Sequence, residues 1–104
     1  LAPGGARVMK TIFIIHAGAD EHRVPHLLEQ HGARGYTQIG HGIGAGSTGR
    51  LEGTRAWPGH ATLWLTITSD DQAQVLLAAL RGFKARLEPG EHLHASVMAT
   101  EEFI

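Results

Sequence analysis

Residues 10–16, Lys-Thr-Ile-Phe-Ile-Ile-His, are apolar on both faces of an extended chain: Ile12 and Ile14 fall on one side, Phe13 and Ile15 on the other. Successive side chains of a strand point to opposite faces, so a strand of this composition demands cover on both sides. A chain of 104 residues builds one small domain. Its own helices can cover one side of such a strand, and the second side needs cover from elsewhere.

The remaining elements follow in a simple order. After Gly18, Asp20 is a candidate helix cap, and Val24, Leu27, Leu28 and His31 recur at the i, i+3, i+4, i+7 spacing of a helix that Gly32 closes. Pro25 is compatible only with a first turn, which places the helix start near Val24. Residues 34–40, Arg-Gly-Tyr-Thr-Gln-Ile-Gly, read as a second strand and hold the only tyrosine, Tyr36. Residues 61–68 alternate, with Leu63, Leu65 and Ile67 predicted to face one way and Thr62, Trp64, Thr66 and Thr68 the other. Ser69 with Gln72 resembles a capping box, and Ala73, Leu76, Leu80, Phe83 and Leu87 then mark a helix that Pro89-Gly90 ends. A last strand over 92–98 sets Leu93, Ala95 and Val97 inward.

This β-α-β, long loop, β-α-β order predicts an α+β fold, a ferredoxin-like βαββαβ sandwich with a long Gly-rich loop between its second and third main strands. Both helices then lie on one sheet face. The other, carrying Phe13, Ile15, Trp64, Ser96 and Met98, is too apolar to leave in water, which predicts an oligomer. Residues 9–104 are read as the single domain, starting at Met9, and residues 1–8 as a Gly/Pro-rich tail outside it.

Composition narrows the class further. A hydrophobic content of 42% supplies a core and excludes wholesale disorder. No apolar run approaches the roughly 20 residues of a membrane-spanning helix, and residues 1–7 lack the pattern of a signal peptide. With no cysteine, disulfide scaffolds, thiolate zinc sites and thiol catalysis are excluded. A formal charge of −1 makes no electrostatic case for nucleic acid. The expectation is a cytoplasmic single-domain protein.

The 14 glycines cluster, whereas the 8 histidines do not. Residues 41–60 hold Gly42, Gly44, Gly46, Gly49, Gly53 and Gly59 together with Pro58; so long a loop in so small a domain is usually functional or disordered. Within it, residues 44–49 match Gly-x-Gly-x-x-Gly. A dinucleotide fingerprint needs a helix directly afterwards, and Gly53 and Pro58 follow instead. A P-loop needs Lys and Ser/Thr where Arg50 and Leu51 stand. What remains is either an anion cradle, built from permissive glycines beside Ser47, Thr48 and Arg50, or a loop that orders on a partner. Trp57, in Ala-Trp-Pro-Gly, is a candidate partner contact, and Trp64 reads as oligomer-interface packing.

His22 and His26 have the four-residue spacing that can set two imidazoles on one helix face for a metal, and His92 and His94 share one face of the last strand. The competing reading is solvated or satisfied core histidines. No nucleophile stands beside an oriented base, and Asp20, Glu21, Asp70, Asp71, Glu101 and Glu102 sit where capping and solvation explain them. The chain is therefore read as a non-enzyme.

Across residues 9–104 the pattern resembles the P-II signalling superfamily. The resemblance is carried by a first strand opening Met9-Lys-Thr-Ile-Phe-Ile-Ile, by Gly35-Tyr36-Thr37 (like the family's Gly-x-Thr), by Gly42-Ile43-Gly44 where the family's T-loop begins with Gly-x-Gly, and by Pro89-Gly90-Glu91 where the family has its Gly-Asp-Gly B-loop. It implies a homotrimer that binds an adenine nucleotide between subunits and docks on a transporter, enzyme or regulator through the T-loop, as in nitrogen regulation. On this basis Gly35, Thr37, Gly42, Gly44, Gly90 and Glu91 are the expected ligand-binding residues, with Arg50 or Arg55 supplying charge. Ser47, Thr48 and Trp57 are the expected docking residues within 42–58, and ligand-driven ordering of that loop is the expected switch.

The departures bear on the effector. Ala45, Gly46 and Ser47 stand where classical members have Arg-Gln-Lys, His92 stands where the B-loop lysine would, and the chain ends Glu101-Glu102-Phe103-Ile104 in place of an Arg-x-Arg pair. Each missing cation removes a charge-assisted phosphate contact worth roughly 1.5–3 kcal/mol. The effector predicted is therefore AMP, ADP or a small anion such as bicarbonate rather than ATP with 2-oxoglutarate. The alternative is a metal-binding trimer of the divalent-cation-tolerance type, using His92 and His94.

Overall fold

The computed structural model describes residues 8–42, 44–46, 49–51 and 61–104, with side chains described for 8–40 and 61–104. The elements run β1 (Met9–Ala17), α1 (Arg23–Gln30), β2 (Thr37–Gly42), β3 (Gly44–Gly46), β4 (Gly49–Leu51), β5 (Ala61–Ser69), α2 (Asp70–Lys84) and β6 (His92–Thr100). The four long strands form one antiparallel sheet in the order β2-β5-β1-β6. Each βαβ half is thus split by a strand of the other half, which is the predicted ferredoxin-like arrangement. β3 and β4 form a separate two-stranded ladder inside the glycine-rich stretch, with Gly44 opposite Leu51 and Gly46 opposite Gly49. The sequence marks no regular structure there.

Strand β1 is central, pairing with β5 and β6 along its whole length. Its inward row, Ile12, Ile14 and His16, is buried, and meets Thr66, Trp64 and Thr62 of β5 on one side and Val97, Ala95 and Leu93 of β6 on the other. Val24 and Leu28 from α1 and Ala73, Leu76, Leu80 and Phe83 from α2 close over this row to make the core.

The register corrects the reading of β5. Trp64 stands opposite Ile14 and is 1% exposed, beneath the helices, while Leu63, Leu65 and Ile67 line the open face with Ile15, Phe13 and Thr11. Alternation alone does not say whether the aliphatic row or the row of Trp64 and its threonines faces the helices. Here the bulk of Trp64 fills the space under α1 and α2, and the hydroxyl of Thr66 in the same row is satisfied by donating to the Gly35 carbonyl at 2.6 Å. The open face consequently carries more apolar surface than predicted, with Ile15, Ile39 and Met98 all exposed.

Helix boundaries follow local chemistry. The Ser69 hydroxyl accepts from the Gln72 N–H at 3.2 Å, half of a capping box. The Gln72 side chain does not return to Ser69; its amide donates to the His31 carbonyl at the end of α1, so it joins the two helices. Asp20 does not cap α1. Its carboxylate accepts from the His22 N–H at 2.9 Å in a turn before the helix, and His22 occupies the cap position without a side-chain bond. Gly32 ends α1 at φ 84°, the left-handed conformation that suits glycine. β2 begins at Thr37, later than residue 34, and Tyr36 packs against Trp64 just ahead of it. Among the described residues no helix is long and apolar enough to cross a membrane.

Candidate functional site

Strand pairing sets Gly42, Ala61, Ala17 and His92 in one row across the sheet, β2 to β6. At this end the chain leaves β2 for residues 43–60 and returns into β5. Here too Gly18 leads toward α1, and residues 88–91 deliver the chain into β6. Between Ile39 and Gly42 the β2–β5 pairing takes one extra residue on β2, a bulge of the kind that re-aims a strand at its exit.

Three side chains described at this end, His16, Arg23 and Glu91, form one cluster. Glu91, its side chain 6% exposed, accepts from His16 Nε2 at 2.7 Å and from Arg23 Nη1 at 2.8 Å on each carboxylate oxygen. Glu91 Oε1 also accepts from the Glu88 N–H at 3.1 Å. Burial alone would raise the carboxyl pKa, but the His16 hydrogen bond, the Glu88 backbone bond and the Arg23 charge outweigh it and hold Glu91 below the ordinary carboxylate value. An ionised carboxylate only accepts, so the imidazole proton in this bond sits on Nε2. The Arg23 guanidinium lies 4.3 Å from the centroid of the Phe83 ring, and the His16 ring packs against the same phenyl at 5.4 Å. Gly18 is confined here: a Cβ would meet Glu91 Cγ and Oε2 at 3.0 Å and His16 Nε2 at 3.2 Å.

A concavity of about 740 Å³ opens where β2 begins, lined by Arg34, Gly35, Tyr36, Thr37, Gln72 and Phe103 among others. The Tyr36 hydroxyl donates to Glu29 at 2.5 Å, and that bond raises its pKa. Trp64 lies beneath Tyr36, and its buried indole N–H meets no acceptor among the described residues.

The expected ligand residues divide between these two places. Gly42, Gly90 and Glu91 stand at the clustered sheet end, and Gly44 opens β3 two residues beyond Gly42. Gly35 and Thr37 line the groove; Thr37 pairs with Leu65, four residues along β5 from Ala61, or about 13 Å at the rise of a strand. Arg50 is described in backbone only, opposite Ala45, and Ser47, Thr48, Arg55 and Trp57 lie outside the described residues, as do residues 1–7 of the expected tail. Val8, the last residue of that tail, accepts from the Asp70 N–H at 3.0 Å. His92 and His94 lie in the row that faces away from the helices, and no group of three or more potential metal ligands occurs among the described residues. His22 and His26 are exposed on α1.

Sequence reasoning missed His16 and Arg23. Their partner is 75 and 68 residues away, and no local motif joins them. The available signal was His16 itself, a polar residue in the inward row of an otherwise apolar strand, where burial requires a partner.

The geometry defines a small antiparallel α+β domain in which the exits of β1 and β2 and the turn into β6 meet at one sheet end. No protein-family model matches the sequence, and no curated protein matches it. The fold is that of PII-like proteins. CPII, a nitrogen regulatory PII-like protein from Thiomonas intermedia K12 bound to ADP, AMP and bicarbonate, matches with a TM-score of 0.69 at 22% identity, over 91% of this chain and 90% of that one. A second structure of CPII with ADP and bicarbonate matches at 0.68 and 22% identity with the same coverage. The apo form matches at 0.60 and 17% identity, over 89% of this chain and 91% of that one.

Proposed function

We propose that this chain is a PII-like regulator that binds a small effector, an adenine nucleotide such as AMP or ADP or a small anion such as bicarbonate, between subunits of a homotrimer, and docks on a target protein through residues 42–58. The observation that carries this reading is a fold shared over about nine-tenths of both chains with structures of CPII that hold ADP, AMP and bicarbonate. Two features of this chain support it. The expected ligand residues occupy two places in one subunit, which suits a site completed by a neighbouring copy. The open sheet face, with Ile15, Ile39 and Met98 exposed, is the surface such copies would cover. The role is binding and switching rather than catalysis. Among the described residues no group of three or more potential ligands supports the metal-binding alternative.

Calorimetric titration of the purified chain with ADP, AMP, ATP and bicarbonate tests the proposal. Saturable binding of AMP or ADP, tighter than ATP, is the expected result. Gly35→Asp supplies the control: a Cβ at Gly35 meets nothing within 4 Å, so the fold tolerates the change while an acidic group enters the expected nucleotide site. It should weaken nucleotide binding at least tenfold with an unchanged melting temperature. A wild-type chain that binds no nucleotide and no anion overturns the reading.

A further inference from the structure

Glu91 was an expected ligand contact on sequence grounds, and its geometry argues for a different part in the same site. A carboxylate has about four acceptor positions. In Glu91 all four are taken: Oε1 accepts from Arg23 Nη1 and Glu88 N–H, and Oε2 from Arg23 Nη1 and His16 Nε2. No capacity remains for a ligand. The side chain is 6% exposed and held from β1, from α1 and from its own turn at once.

Those bonds act on the turn before β6. Its backbone closes through the Glu91 N–H to the Glu88 carbonyl at 3.0 Å, and the Glu91 carboxylate closes it a second time through the Glu88 N–H. Pro89 and Gly90 occupy the two central positions, with Gly90 at φ 83°, the geometry of a type II turn. Pro89 has no N–H, and the Gly90 N–H donates to no protein group among the described residues. Gly90 is exposed. Among the described residues the doubly bridged turn therefore presents one unpaired backbone donor, at the sheet end where β2 gives way to residues 43–60.

We propose that His16, Glu91 and Arg23 are an internal clamp that fixes the 88–91 turn and neutralises the Glu91 charge, so that the Gly90 N–H can receive an anionic group of the effector. The inference rests on the reading of the chain as an effector-binding regulator. Its electrostatic half follows from the charges that this sequence places around the turn. A bare carboxylate one residue from the donor would repel a phosphate or bicarbonate, and the Arg23 guanidinium cancels it. Arg23 is held for this by Glu91 on one side and the Phe83 ring on the other. His16 holds the second oxygen from a buried position, and the absence of a side chain at Gly18 leaves room for the contact. Glu91, His16 and Arg23 are on this account positioning residues.

The test uses ligand charge as its readout, because a purely structural defect does not scale with it. Dissociation constants for ADP, AMP and adenosine are measured by calorimetry on the wild type, Arg23→Ala, Arg23→Lys and the double variant Arg23→Ala/Glu91→Gln, each shown to be folded by circular dichroism at the same temperature. Arg23→Ala exposes the Glu91 charge and should weaken ADP about tenfold, AMP less, and adenosine hardly at all, as expected for charges within a Debye length. Arg23→Lys should recover most of the loss. The double variant, with both charges removed, should bind ADP more tightly than Arg23→Ala alone. Equal losses for ADP and adenosine, or no recovery in the double variant, overturn the clamp while leaving nucleotide binding intact. A wild type that binds neither nucleotide nor bicarbonate overturns the functional reading and the clamp with it.

Discussion

Glu91 links stability to pH as well as position to function. Its folded-state pKa lies below the ordinary value of 4.5, so folding favours the ionised form. The stabilisation is complete above that ordinary value and is lost as pH falls through it toward the folded-state pKa. Urea denaturation between pH 7 and pH 3 should show wild-type stability falling on the acid side, and Glu91→Gln should remove the Glu91 part of that slope. At neutral pH, Glu91→Ala leaves the buried His16 Nε2–H without its acceptor and should cost about 1–3 kcal/mol; an equal loss at pH 3 and pH 7 would contradict the assignment. The cluster also marks where sequence reading stops. Ile12, Ile14 and Leu93 announce their burial by periodicity, and their positions were legible. Which carboxylate answers a buried histidine is decided by a turn 75 residues on, and neither His16 nor Glu91 alone names the other.

The elements were legible where one local signal dominates. Ser69 and Gln72 marked the start of α2, and the cap is present. Ser69→Ala should lower stability by about 1 kcal/mol, read as a downward shift of several degrees in melting temperature for a domain of this size. Gly90, at φ 83°, is the second such point. Gly90→Ala forces a Cβ into a left-handed conformation and should cost about 1–2 kcal/mol, although no atom crowds the position. A melt of the two variants separates backbone strain from a lost cap, because Ser69→Gly should recover most of the Ser69→Ala loss, whereas at position 90 Asn, which tolerates the left-handed conformation, should melt above Ala. β5 shows the limit of such signals. One of its rows is Leu63, Leu65 and Ile67 and the other is Thr62, Trp64 and Thr66, and the uniformly aliphatic row is the open one. A row of Leu63, Leu65 and Ile67 carries no mark of whether a helix or another molecule covers it. The decision lies in the pairing of Trp64 with Ile14 and in the volume available under two helices.

At the scale of the whole molecule, the correction at β5 strengthens the argument for assembly. Strand β1, apolar on both faces, needs cover on both sides, and the helices supply one. On the other, Phe13, Ile15, Leu63, Leu65, Ile67, Ile39 and Met98 occupy neighbouring rows of a single sheet face, with Ile15, Ile39 and Met98 each about half exposed. Soluble monomers seldom leave so continuous an apolar patch in water. A lysine placed there cannot be accommodated in a closed interface without an unpaired buried charge, yet in a monomer it would only be a solvated surface residue. Met98→Lys is the useful substitution, because β6 is an edge strand and Met98 is already 48% exposed. Sedimentation equilibrium should find the wild type at three times its chain mass of 11.2 kDa and Met98→Lys shifted toward the monomer, with the far-ultraviolet spectrum of the folded chain retained. If the effector site is completed by a neighbouring copy, nucleotide affinity should fall in parallel with the trimer fraction and return at protein concentrations that restore assembly. A variant that dissociates but keeps full affinity would confine the site to one subunit. A wild type that sediments as a monomer would leave the apolar face to some other partner.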